Sequence, residues 1–126
     1  MIGLLAAVLA VVQPALTPGV VRPLTTAEVC ATKWGLDVRN VTQKDRNDVY
    51  TAYGIPVAER GLYLIDHLVP RELGGADDLR NYWPQRRAPS HRKDRIENAL
   101  HRTVCAPGAT LTLEAAQHLM RGWVGE

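Results

Sequence analysis

The chain has 126 residues, of which 46% are apolar, 22% charged and 6% aromatic with no Phe, and its net charge is +2. That length holds one domain with a real core, which excludes a multi-domain machine, a disulfide-only miniprotein and a wholly disordered segment. Fifteen Lys and Arg against thirteen Asp and Glu is an ordinary balance, but the distribution is uneven. From Arg80 to Arg102 seven basic residues (Arg80, Arg86, Arg87, Arg92, Lys93, Arg95, Arg102) stand against two acidic ones, Asp94 and Glu97. Such a stretch can meet a phosphate backbone, and it also suits a solvated helix face flanked by loop arginines.

In chain order the first feature is an apolar run of 11 residues, Ile2 to Val12, ended by Gln13-Pro14 and by Thr17-Pro18-Gly19. Eleven helical residues rise only ~16 Å, too little for a ~30 Å hydrocarbon core, whereas the length suits the apolar part of a signal peptide. Residues 1–19 are therefore expected to be a leader, cleaved after Ala15 or Thr17, and residues 20–126 an exported domain, secreted or periplasmic. No Lys or Arg precedes the run, which leaves a cytoplasmic chain as the alternative. Two cysteines, Cys30 and Cys105, lie near the ends of that domain. In an oxidising compartment they form one disulfide, worth roughly 4–5 kcal/mol by loop-closure entropy; in the cytosol they are two buried thiols.

Thr25-Thr26-Ala27-Glu28 has capping-box spacing and Gly35 is a stop, so a helix is predicted over about 26–34. Thr42 caps a second helix, about 43–53, ended by Gly54 and Pro56. Residues 62–69, rich in Leu, Tyr, Ile and Val and closed by Pro70, predict a strand. After the Gly74-Gly75 turn, Asn81-Tyr82-Trp83 predicts a second short strand. Pro89-Ser90 opens a helix to about Val104, with Ile96, Leu100 and Val104 on one face, and a last helix over about 113–121 buries Leu113, Ala116 and Met120. The fold class is α+β, a small single domain.

The polar residues of the middle segment form a pattern. Asp66-His67 closes the first strand, Asn81 lies fourteen residues past His67, and His91 ten residues past Asn81. The run Asp66-His67-Leu68-Val69-Pro70, Gly74-Gly75, Asp77-Asp78, Asn81 and His91-Arg92-Lys93 resembles the HNH endonuclease signature. It is most similar to small bacterial exported HNH-type proteins, whose pattern continues into Glu97, Leu100-His101 and Val104-Cys105. The resemblance covers about residues 20–123, with its specific part between Asp66 and Cys105. It implies a ββα-metal finger over about 62–104, flanked by short helices that Cys30 and Cys105 tie together.

The resemblance also implies an activity, metal-dependent hydrolysis of DNA phosphodiester bonds. In it His67 corresponds to the general base, Asn81 to the residue orienting that imidazole, and Asp66 and His91 to the metal ligands. His91 stands two residues before Lys93 where three is commoner, so Glu97 and His101, one helical turn apart, are the fallback ligands. A carboxylate and an imidazole accept Mg, Mn, Ni or Zn alike. Arg87, Arg92 and Lys93 are the expected phosphate contacts, which would be blind to sequence. Tyr82 and Trp83 could stack on bases, though an apolar pair beside a Pro more often belongs to the core. Two other classes stay open: a catalytically inactive nucleic-acid-binding module of the same fold, and an exported structural domain stabilised by zinc.

Overall fold

The computed structural model describes residues 11–36, 40–87 and 92–125. Helix α1 (Thr26–Ala31) opens on a complete capping box: the Thr25 hydroxyl accepts from the Glu28 N–H, and the Glu28 carboxylate accepts from the Thr25 N–H. It stops three residues short of the predicted end because side chains take the carbonyls that the next turn needs. The Thr32 hydroxyl donates to the Glu28 carbonyl at 2.8 Å, and the Trp34 indole N–H to the Val29 carbonyl at 2.9 Å. Trp34–Leu36 then forms a separate 3-10 turn. Helix α2 (Gln43–Ala52) repeats the capping box with Thr42 and Asp45.

Strands β1 (Tyr63–His67) and β2 (Tyr82–Arg86) form one antiparallel pair, with Asp66 opposite Trp83 and His67 opposite Tyr82. The first strand is shorter than predicted, because the chain turns away after His67. The second runs further, through Pro84, which a two-stranded sheet tolerates because each strand has an open edge. Helix α3 (Arg92–Val104) and helix α4 (Leu113–Arg121) complete a small mixed helix and strand domain.

Two apolar clusters hold it together. One joins α2 to the hairpin through Val49, Tyr50, Tyr53, Tyr63, Leu68, Tyr82 and Trp83. The other joins the remaining helices through Val29, Val69, Leu73, Val104, Leu113, Ala116 and Met120. The chain passes from the first cluster to the second between Leu68 and Val69, directly after His67. Beside the second cluster the Cys30–Cys105 disulfide spans 75 residues with a Cα–Cα distance of 5.5 Å. The bond accords with an extracellular location, and no helix among the described residues is long and apolar enough to cross a membrane.

Residues 12–19 pack into this core. Val12 is buried in the first cluster and its N–H donates to the Val124 carbonyl at 3.0 Å. The buried Thr17 hydroxyl lies 2.6 Å from the Tyr53 hydroxyl and donates to the Tyr82 carbonyl at 2.8 Å. The Gly19 N–H donates to the Arg80 carbonyl at 2.9 Å. A chain beginning at residue 20 is predicted to be less stable than one beginning at residue 11 by about 2 kcal/mol or more, from lost Val12 burial and stranded Thr17 partners. Urea unfolding of the two chains checks this, and equal midpoints would show that the segment adds nothing to the fold.

Candidate functional site

Between β1 and β2 the chain makes a tight excursion, and two features fix its shape. Gly75 passes so close to Val69 that a Cβ there would lie 1.8 Å from the Val69 carbonyl oxygen, which excludes any larger residue. The buried Asn81 side chain then clasps the loop from inside. Its Oδ1 accepts from the Val69 N–H at 2.9 Å, and its Nδ2 donates to the carbonyls of Val69 at 2.9 Å and Ala76 at 3.0 Å. From outside, the loop is braced by the N-terminal segment, with Val21 bridged to Gly75.

This loop brings Asp77 back to the end of β1. The His67 Nε2 lies 2.7 Å from Asp77 Oδ1, and the imidazole packs edge-on to Tyr82 at 5.0 Å between ring centres. Burial pushes the Asp77 carboxyl up, but the His67 hydrogen bond, the Arg71 guanidinium at 3.4 Å and the Asn40 N–H at 3.1 Å outweigh it and hold it below the usual carboxylate value. An ionised carboxylate only accepts, so the His67 Nε2 carries the proton of this bond. Tyr82 stays a neutral phenol, its pKa pushed up to about 12 by burial and by the nearby Asp77, Asp45 and Asp78.

Asp66 points from the opposite face of the strand, as alternation requires. Its Oδ2 accepts from the Trp83 indole N–H at 3.0 Å and pairs with the Lys93 ammonium at 2.8 Å. Lys93 is 1% exposed, and its Nζ also donates to the His67 carbonyl at 2.8 Å and to Glu97 Oε2 at 2.5 Å. Burial pulls this ammonium down, but the Asp66 and Glu97 carboxylates outweigh it and keep it charged. One ammonium thus serves two carboxylates. Glu97, the more deeply buried, is pushed up to about 7, by burial first and by the charge of Asp66, against the pull of Lys93. Because the strand ends at His67, both members of the adjacent pair reach one open cleft of about 410 Å³, walled also by Trp34, Arg71, Glu72 and Glu97.

The structure brings Asp66 and His67 to one cleft and gives several of the other predicted site residues partners elsewhere. Asn81 spends its amide on the backbone of Val69 and Ala76, and the group that holds the imidazole is Asp77. Lys93 is no surface phosphate contact, since its ammonium is turned inward. Glu97 is bonded to that ammonium while the His101 Nε2 lies 3.7 Å from the Cys105 sulfur, so the fallback pair is committed to different neighbours. Arg87 and Arg92 are exposed, the first donating to the Gly61 carbonyl and the second lying over the Trp123 ring at 5.4 Å. His91 lies outside the described residues.

Asp66, Glu72 and Glu97 bring carboxyl groups to the cleft beside the Arg71 guanidinium. Among the described residues no three His, Cys, Asp or Glu side chains converge to hold an ion by themselves. The chain matches no protein-family model, no curated protein and no solved structure.

The buried triad generates a prediction. Lys93→Met leaves Asp66 and Glu97 facing each other without a counter-charge, and is expected to destabilise the fold by about 3 kcal/mol at pH 8. Glu97, pushed up to about 7 even with the ammonium in place, is then held higher still. Lowering the pH to 5 protonates Glu97 and recovers most of the loss, as does adding Glu97→Gln. Urea melts at the two pH values check this; a loss independent of pH would show that Lys93 stabilises by packing alone.

Proposed function

We propose that the chain is a metal-dependent HNH-type endonuclease that hydrolyses DNA phosphodiester bonds from a ββα-metal finger formed by β1, β2 and α3. The observation that carries this reading is that Asp66 and His67 both line one cleft, with the imidazole fixed by an ionised carboxylate. His67 takes the proton of the attacking water, and the Asp77 carboxylate, bonded at Nε2, stabilises the imidazolium that forms. Asp77 also fixes which ring nitrogen carries the resting proton and prevents the ring from turning. Asn81 and Gly75 keep Asp77 in place by fixing the loop, and Lys93 holds the His67 backbone and the Asp66 side chain in register.

A divalent ion bound at Asp66 would neutralise charge on the phosphate and stabilise the departing alkoxide. The second ligand under this reading is His91, with Glu97 and His101 as its substitutes. Arg87 and Arg92 would hold the flanking phosphates, and their contacts would weaken with salt. The disulfide and the apolar N-terminal run support export. A single observation favours the competing reading of a binding module: the Lys93 ammonium already neutralises Asp66 Oδ2.

Substitution separates the two. In a nuclease, His67→Ala lowers the turnover of a DNA duplex by about 10²–10⁴-fold and leaves its affinity unchanged, and Asp77→Asn gives a smaller loss of the same kind. Asp66→Ala weakens metal binding in calorimetry. A chain whose turnover is indifferent to both His67→Ala and Asp77→Asn would overturn the assignment of the base.

A further inference from the structure

The three Trp and four Tyr of the chain divide sharply by environment. Tyr50, Tyr53, Tyr63, Tyr82 and Trp83 are all buried, the last two at 1% and 0% exposure, so neither of the aromatics beside Asn81 is available to a ligand. Trp123 carries the Arg92 guanidinium over its ring. Trp34 differs from all of these. Its indole is half-exposed and walls the cleft that holds Asp66 and His67, and it also walls a neighbouring cleft of about 430 Å³ that holds Arg22. The indole N–H is tied to the Val29 carbonyl, which fixes the ring against α1. In the same 3-10 turn Leu36 is 80% exposed, so an apolar rim stands beside a charged cleft.

A flat, fixed aromatic wall next to a phosphodiester site fits one chemical partner well, the face of a nucleobase. We propose that Trp34 is a nucleobase platform: the base adjoining the scissile phosphate lies against the indole, with Arg22 in the next cleft placed for a neighbouring phosphate. This rests on the nuclease reading for the position of the phosphate. In paired DNA the base must leave its stack to reach Trp34, at a cost that an unpaired base does not carry. The platform therefore selects single-stranded or locally unpaired DNA over perfect duplex.

The test measures binding and cleavage separately. Binding of single-stranded oligothymidylate and of a matched duplex is measured in a His67→Ala background, with Trp34 intact, Trp34→Phe or Trp34→Leu. Both Trp34 substitutions remove the bond to Val29, so the difference between them reports the ring face and not the fold. Trp34→Leu is expected to weaken single-strand binding about 10-fold or more and duplex binding much less, while Trp34→Phe stays within about threefold of the parent. Equal single-strand affinity for the Leu and Phe variants overturns the platform. Cleavage of the same oligonucleotide by the otherwise unaltered chain separates the two proposals. Trp34-dependent binding without cleavage under any divalent metal keeps the platform and removes the nuclease. Cleavage with Trp34-independent binding does the reverse.

Discussion

The ammonium of Lys93 is the interaction on which the site depends. It is a full charge with 1% exposure, and such a charge is retained only where oxygens replace its water. Asp66, Glu97 and the His67 carbonyl do so at 2.5–2.8 Å. The consequence is geometric: α3 is fastened to the last two residues of β1, one through its side chain and the other through its backbone. Removing the cation would leave two buried carboxylates together, so the helix, the strand end and the charge state of the cleft stand or fall as a unit. Because two carboxylates share one ammonium, the three groups carry a net negative charge only above the Glu97 value of about 7.

The second constraint lies on the other face of the strand. The His67 imidazole has a fixed ring and a defined tautomer, and both come from Asp77. Asp77 reaches His67 only because the loop doubles back tightly. That course depends on Gly75, which passes Val69 without a side chain, and on Asn81, whose amide satisfies three backbone groups at once. The N-terminal segment completes the brace, since Thr17 and Gly19 bond to Tyr82 and Arg80 and Val21 bridges Gly75. Residues 17–21 thus help to shape the loop behind His67.

Much of this was legible in the sequence where local chemistry decides. The capping box of α1, the Thr42 cap of α2 and the apolar face of α4 follow from residue types and spacing, whereas the Cys30–Cys105 bond follows only once the compartment is an oxidising one. The Asp66-His67 pair was visible as a motif, and its two opposed side chains reach one cleft because the strand ends there. What was not legible depends on tertiary placement. A Lys four residues before a Glu on a basic helix suggests an exposed ion pair, because buried Lys is rare. The hint lay in position: Lys93 and Glu97 extend the stripe that continues through Leu100 and Val104, so the inner face of α3 includes them. Asp77 gave a weaker hint as an acidic pair with Asp78 in a glycine-led turn, with nothing local to say which carboxylate would face the strand. Trp34 looked like part of a helix, and its indole instead helps to end that helix and walls the cleft.

The account stands most directly on the chemistry assigned to the cleft, and a plasmid-nicking assay on the oxidised chain from residue 11 onward measures it. After dialysis against chelator, supercoiled DNA is incubated with the protein and Mg, Mn, Ni or Zn in turn. The account predicts conversion to the nicked form with at least one of these ions and none in chelator. Retention of supercoiled DNA with every ion, by a chain that still binds DNA at low salt, would contradict it and leave a nucleic-acid-binding domain.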